Sequence, residues 1–367
     1  MGMKRPAFAG LWALAAVLAG FVSPAAAGTS VYVGNADSSD IYVFALDAKS
    51  GDLTAIEKVA VPGVAKAGAT TPMAVTPDER VLFIGIRSEP QFAASFAIDP
   101  KTGKLTHRGN GPLADSMAYI SVDRTGRYLL SASYPGHRVT VNAIGPEGVI
   151  EAPKQIIPEV PNAHAILADA GNRFVLASSL GSDTLRQYRF DAATGTLSAN
   201  DPPAVKVTDK AGPRHFVFHP NGKLVYLVCE LDATVHVFDY DPTTGRLAEK
   251  QTVSALQAGY DGKVWAADLH LTPNGKFLYA SERTTNTIGA LRIDSASGKL
   301  IYVGSTPTEK QPRGFNIDSS GRYLLAVGQL SNGLSSYTID PDSGKLTKLK
   351  EYPVGENPNW VEMVDLP

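Results

Sequence analysis

The sequence predicts an all-β protein, a seven-bladed β-propeller of four-stranded blades, and three observations carry that prediction. A short turn pattern, T/S-G-x-L or a near variant of it, occurs seven times. Its glycines, Gly51, Gly103, Gly148, Gly195, Gly245, Gly298 and Gly344, stand 52, 45, 47, 50, 53 and 46 residues apart, the length of one four-stranded blade. A strand–turn–strand pattern interleaves with it six times. The missing seventh copy predicts a ring closed by a blade shared between the two ends of the chain, which leaves no open sheet edge.

Taken in order, residues 1–27 stand apart from the repeat. Lys4-Arg5, an apolar run over residues 7–22 and Ala25-Ala26-Ala27 read as a secretory signal peptide cleaved before Gly28, and the run is short of the ~20 residues that span a bilayer. Periplasmic or secreted placement is expected. Residues 28–367 then form one propeller domain at about 49 residues per blade. The segment SVYVGN at 30–35 is expected as the second strand of the shared blade, with NWVEMV at 359–364 as its innermost strand. The six strand–turn–strand copies turn at Asp78-Glu79, Thr125-Gly126, Ala170-Gly171, Asn221-Gly222, Asn274-Gly275 and Ser320-Gly321. Their flanks are β-branched and aromatic, as half-buried strands require.

Composition narrows the partners. A net charge of −2 without a basic run argues against nucleic acid or an anionic membrane. Lone Cys229, set in Tyr226-Leu227-Val228-Cys229, reads as a buried structural thiol. The sequence leaves the oligomeric state open.

Antiparallel register locates a site. If the first turn joins the innermost strand to the second, residues about eight after each turn glycine ring one mouth of the channel, as do those seven or eight before it. The later row, counted from Glu79 and the five turn glycines, reads Arg87, Tyr134, Ser179, Glu230, Arg283 and Gln329. The earlier rows contribute His164, Arg214, His215, Asp268 and Arg313, with Trp265 beside them. Polar side chains at equivalent positions of different blades converge on one axial pocket. A lesser alternative makes Glu230 with Arg214 or Arg283 an ion pair between blades, and His215 could equally hydrogen-bond a neighbouring strand. Neither a metal nor an organic cofactor is expected: H-x-H, H-E-x-x-H and C-x-x-C pairs and phosphate-cradling glycine loops are missing, and the rim arginines favour an anion.

Three stretches make the chain recognisable: Ala211-Gly212-Pro213-Arg214-His215-Phe216-Val217-Phe218-His219-Pro220-Asn221, Trp265-Ala266-Ala267-Asp268-Leu269-His270-Leu271-Thr272-Pro273 and Gln311-Pro312-Arg313-Gly314-Phe315-Asn316-Ile317-Asp318. They closely resemble the β-propeller lactonases of the 6-phosphogluconolactonase type, a family similar in fold to fungal carboxymuconate lactonising enzymes. The resemblance implies hydrolysis of a sugar lactone at a metal-independent site, with catalytic roles falling on His164, Arg214, Glu230 and Arg283. His215, Asp268, Arg313, Arg87, Trp265 and Gln329 are expected to bind substrate. Arg214 and Arg283 would receive the developing oxyanion, and Glu230 or His164 the proton of water. An exported non-catalytic propeller that binds a small anion or a protein, and a muconate-type cycloisomerase, are the alternatives.

Overall fold

The computed structural model describes residues 1, 2 and 28–367; the signal-peptide reading rests on residues outside that set. Among the described residues, twenty-eight strands pair into seven four-stranded antiparallel sheets. Six blades run inner to outer in chain order: blade 2 (73–112), blade 3 (117–157), blade 4 (163–206), blade 5 (213–254), blade 6 (266–307) and blade 7 (312–353). Blade 1 joins the ends of the chain. Pro358–Asp365 is its innermost strand, paired with Thr29–Asn35, and Asp40–Leu46 and Leu53–Ala60 follow outward.

The burial pattern shows what holds the ring. Second strands such as Val81–Ile86, Leu224–Cys229 and Tyr323–Gly328 are buried at every residue, because each lies between two neighbouring blades. Outer strands are mostly exposed beyond one buried leucine or isoleucine near their start, such as Leu53, Ile150 and Leu346. The apolar clusters accordingly bridge adjacent blades: Tyr226, Val228 and Val235 of blade 5 pack with Leu269, Leu278 and Leu291 of blade 6. The repeat glycines take part too. Tyr32, Tyr226 and Tyr279 donate their hydroxyls across blade boundaries to the carbonyls of Gly103, Gly298 and Gly344 at 2.8, 2.9 and 2.8 Å.

Both sets of turns lie on one face, so the mouth is opposite. There the innermost strand carries a β-bulge in six blades, at Ala118, His164-Ala165, Arg214, Ala267-Asp268, Arg313 and Asn359. A bulge places an extra residue against one partner and re-aims a side chain. Here it leaves one or two residues per blade outside the ladder. In blades 4 and 6 the hydroxyls of Ser178 and Ser281 accept from the Ala165 and Asp268 amides at 2.9 and 3.0 Å, replacing ladder bonds.

Blade 4 corrects the expected register by one residue. Its left-handed turn position is Asn172, φ 52°, rather than Gly171. Asparagine tolerates that conformation, and its amide ties the turn to blade 3, donating to Asp123 Oδ2 at 2.8 Å and accepting from the Arg124 amide at 3.0 Å. The residue equivalent to Arg87, Tyr134, Glu230, Arg283 and Gln329 is therefore Leu180. Ser179 ends its strand and is buried, donating to the Pro161 carbonyl at 2.7 Å. The shift also brings His164 into line with Arg214 and Arg313.

Candidate active site

A cavity of about 220 Å³ opens at the mouth, lined by Arg87, Ala118, Tyr134, His164, Glu230, Trp265, Arg283 and Arg313. Larger grooves of about 420 and 380 Å³ lie on the opposite face. They recur between neighbouring blades where the hairpins diverge, a consequence of the wedge-shaped gaps, and collect no comparable constellation.

Glu230 is the centre of the cavity's polar wall. Its Oε2 accepts from Arg214 Nε at 2.7 Å and pairs with Arg283 Nη2 at 3.2 Å, and its Oε1 accepts from the Trp265 indole at 2.9 Å. Burial raises its carboxyl, but Arg214, Arg283 and the indole outweigh that and hold it below the usual range. Arg283 lies over the Trp265 ring, 3.7 Å from the centroid, and donates to the Trp265 and Ala266 carbonyls at 3.1 and 2.8 Å. Arg214 is fully buried one layer below the cavity floor and also donates to the Ala267 carbonyl. Its Nη2 has no partner among the described residues.

The other two arginines are not neutralised. Arg87 is held by hydroxyls, donating to Ser116 Oγ at 2.9 Å and Thr70 Oγ1 at 2.8 Å. Arg313 makes no hydrogen bond or ion pair among the described residues; burial, then crowding by Arg214, Arg283 and Arg87, disfavours its charge. Three guanidiniums thus line a cavity whose single lining carboxylate is already bound by Arg283 and by Arg214 beneath it.

His164 is 3% exposed. Burial and then the charges of Arg214, His215, Arg313 and Arg283 push its imidazole well below the ordinary histidine range, so it is neutral at pH 7. Its Nδ1 has no partner among the described residues.

The remaining candidates divide. His215 and Asp268 lie beneath this cavity, in a second space of about 50 Å³ with Tyr119, His270, Trp360 and Glu362. Asp268 accepts from His215 Nδ1 at 2.8 Å and from the Leu269 amide at 3.0 Å, and pairs with His270 Nε2 at 3.3 Å. Gln329 stands on the rim with both ends of its amide engaged, by Gln311 at 3.1 Å and Asn357 at 2.8 Å. Sequence reasoning missed Glu362, whose Oε1 accepts from the Trp360 indole at 2.8 Å; burial pushes its carboxyl up to about 7. The available signal was the period-2 spacing of Trp360 and Glu362 on the innermost strand. Cys229 is wholly buried and its thiol is pushed up by burial.

Burial and then Arg214, against the opposing pull of Asp268, lower His215 to about 4. Since the unfolded chain takes up this proton near pH 6.5, the stability His215 contributes is present above pH 6.5 and lost as pH falls toward 4. Melting curves should show His215→Phe losing a few degrees less than wild type over that interval. An identical loss in both proteins would refute the assignment.

Fold and sequence now agree on a class. The family model of the seven-bladed β-propeller lactonases matches residues 26–363, and the chain belongs to that family, among the lactone-hydrolysing carboxylic-ester hydrolases. More particularly, it is 40% identical over 337 residues to a 6-phosphogluconolactonase of Pectobacterium carotovorum, covering 92% of this chain and 98% of that one. It is 39% identical over 334 residues to a 6-phosphogluconolactonase of Yersinia pestis, covering 91% and 97%. The solved structure of a periplasmic gluconolactonase of Pseudomonas aeruginosa superposes with a TM-score of 0.84 at 29% identity, covering 93% of this chain and 100% of that one.

Proposed function

We propose that the mouth cavity hydrolyses an aldonolactone of the 6-phosphogluconolactone class to its open hydroxy acid, without a metal. The observation that carries this reading is a neutral, buried histidine facing a cavity in which guanidinium charge exceeds carboxylate charge. An acyl transfer to water needs a base for the water proton and fixed positive charge for the carbonyl oxygen. His164 supplies the first. Glu230 does not, because both of its oxygens are bound and its pairing with arginine weakens it as a base; it orients Arg214, Arg283 and Trp265. Arg283, backed by Arg214, faces the developing oxyanion. The proton taken by His164 returns to the ring oxygen as the acyl–oxygen bond breaks.

Arg87 and Arg313 have charge to spare for a second anionic group of the substrate. Arg87→Ala and Arg313→Ala should raise KM on the order of 10-fold for a 6-phosphorylated lactone, consistent with loss of one charge-assisted contact, and much less for the unphosphorylated one. Equal changes for both substrates would remove this assignment.

Together with the signal-peptide reading, the periplasmic neighbour supports export of residues 28–367 as a single domain. An N-terminus near Gly28 by mass spectrometry of the native protein tests it. The decisive assay follows ring opening of phosphorylated and free aldonolactones and of muconate-type acids, with and without EDTA, against spontaneous hydrolysis. Failure to accelerate any lactone, or loss of activity in EDTA, overturns the proposal.

A further inference from the structure

Beneath His164 the structure holds a set of titratable groups that the hydrolysis described above does not use. His164 and His215 are adjacent rings, with centroids 5.0 Å apart and planes at 61°. Each keeps one buried nitrogen without a partner among the described residues, Nδ1 of His164 and Nε2 of His215. At that separation ring nitrogens come within reach of a direct hydrogen bond after a small rotation, or of one bridging water. The other nitrogen of His215, Nδ1, is spoken for by Asp268 at 2.8 Å. Asp268 is itself fixed on both oxygens, by the Leu269 amide at 3.0 Å and His270 Nε2 at 3.3 Å.

These contacts select tautomers. An ionised Asp268 accepts a proton from His215 Nδ1, which leaves His215 Nε2 as a lone pair. That lone pair suits a proton on His164 Nδ1, which in turn leaves His164 Nε2 as the basic nitrogen for the cavity. With the two rings turned toward each other, or joined by one water, every donor in the series meets an acceptor.

We infer that His215 relays a proton beneath His164, held for that role by Asp268 and, behind it, His270, resting on the reading of His164 as general base. When His164 Nε2 takes a proton from water, the O–H bond breaks and the hydroxide oxygen attacks the lactone carbonyl. The Nδ1 proton of His164 passes to His215 Nε2, so the positive charge comes to rest beside Asp268. As the acyl–oxygen bond breaks, the protons move back and the leaving oxygen takes one from His164. No proton is gained or lost by the protein.

The charges around the rings explain why a relay is useful. His164 faces Arg214, Arg283 and Arg313 with no carboxylate in contact among the described residues, so an imidazolium held there meets repulsion from three sides. His215 feels Arg214 from its own strand, and Asp268 from blade 6 opposes that; Tyr119 of blade 3 and Trp360 of blade 1 close the space around it at centroid distances of 5.1 and 6.0 Å. Glu362 and His270 complete the titratable set beyond Asp268. His215, Asp268 and His270 are positioning residues, acting on substrate through His164.

The test joins kinetics to histidine nitrogen NMR. Asp268→Asn keeps the shape and removes the anion; it should lower kcat on the order of 10²-fold with KM little changed, and move the acid limb of the pH–kcat profile to lower pH. In wild type, nitrogen-15 shifts should place the proton of neutral His164 on Nδ1, and Asp268→Asn should erode that preference. If Asp268→Asn does not fold, His215→Phe, a similar ring among Tyr119 and Trp360, serves the same comparison. A folded variant with the wild-type profile, or a wild type with His164 protonated on Nε2, overturns the relay. The NMR result needs no substrate, so a protein that opens no lactone fails the proposed reaction separately.

Discussion

His164→Ala is expected to lower kcat for lactone opening on the order of 10²- to 10⁴-fold, the range supplied by a positioned general base, while the melting temperature moves by only a few degrees. The imidazole is buried but no hydrogen bond among the described residues ties it to the frame: it packs edge-on against Tyr134 and His215, at centroid distances of 6.0 and 5.0 Å, and its Nδ1 is without a partner. Arg214→Ala provides the contrast. Arg214 is fully buried and bonded to Glu230 and to the Ala267 carbonyl, so its removal leaves Glu230 short of one partner and should cost both turnover and several degrees of melting temperature. Calorimetry and initial rates on the two variants separate chemistry from scaffolding. A folded His164→Ala protein at the wild-type rate would place the chemistry elsewhere.

Removing residues 358–367 should abolish cooperative folding. That segment supplies the innermost strand of blade 1, and with it the Val361 and Val364 side chains, both buried. It also supplies contacts to both neighbours. Asn359 Oδ1 accepts from the Thr71 amide, just ahead of blade 2, at 2.8 Å, and Asn316 Nδ2 of blade 7 donates to the Val361 carbonyl at 3.1 Å. Without it, Thr29–Asn35 becomes an unpaired strand edge lining the channel, and the lost burial and hydrogen bonding are set against a net stability of only ~5–15 kcal/mol. Circular dichroism melting and size-exclusion chromatography would show it. A monomeric truncation with the original melting temperature would mean that the ring does not depend on this closure.

Much of this architecture was legible because it is repeated. The glycine spacing gave seven hairpins, and the missing strand–turn–strand copy gave the shared blade, since a ring must pair every strand. The candidate site was legible where equivalent positions carry chemically unusual residues: His164, Glu230, Arg283, Arg313 and Arg87 could be aligned by counting from turns and do line one cavity. Depth was not legible in this way. His215 and Arg214 are neighbours in sequence, yet a bulge separates their directions, sending Arg214 to Glu230 and His215 down to Asp268. Counting also failed in blade 4, where Asn172 takes the turn that Gly171 was expected to make. Gln329 shows a third limit: its row position is correct, but Gln311 and Asn357 occupy its amide.

The bulges at the head of six innermost strands have a consequence for how this protein changes over time. A residue that stands outside the ladder, faces the cavity and is not bonded elsewhere can be exchanged without disturbing strand pairing, so the mouth carries a few interchangeable sockets on a fixed frame. His164 and Arg313 fill two of them and Ala118 is nearly blank, whereas Arg214 is bound to Glu230 and Asn359 to the Thr71 amide. Ala118 already faces the cavity, and a larger or charged side chain there would reshape what the enzyme accepts while leaving the fold that presents it intact.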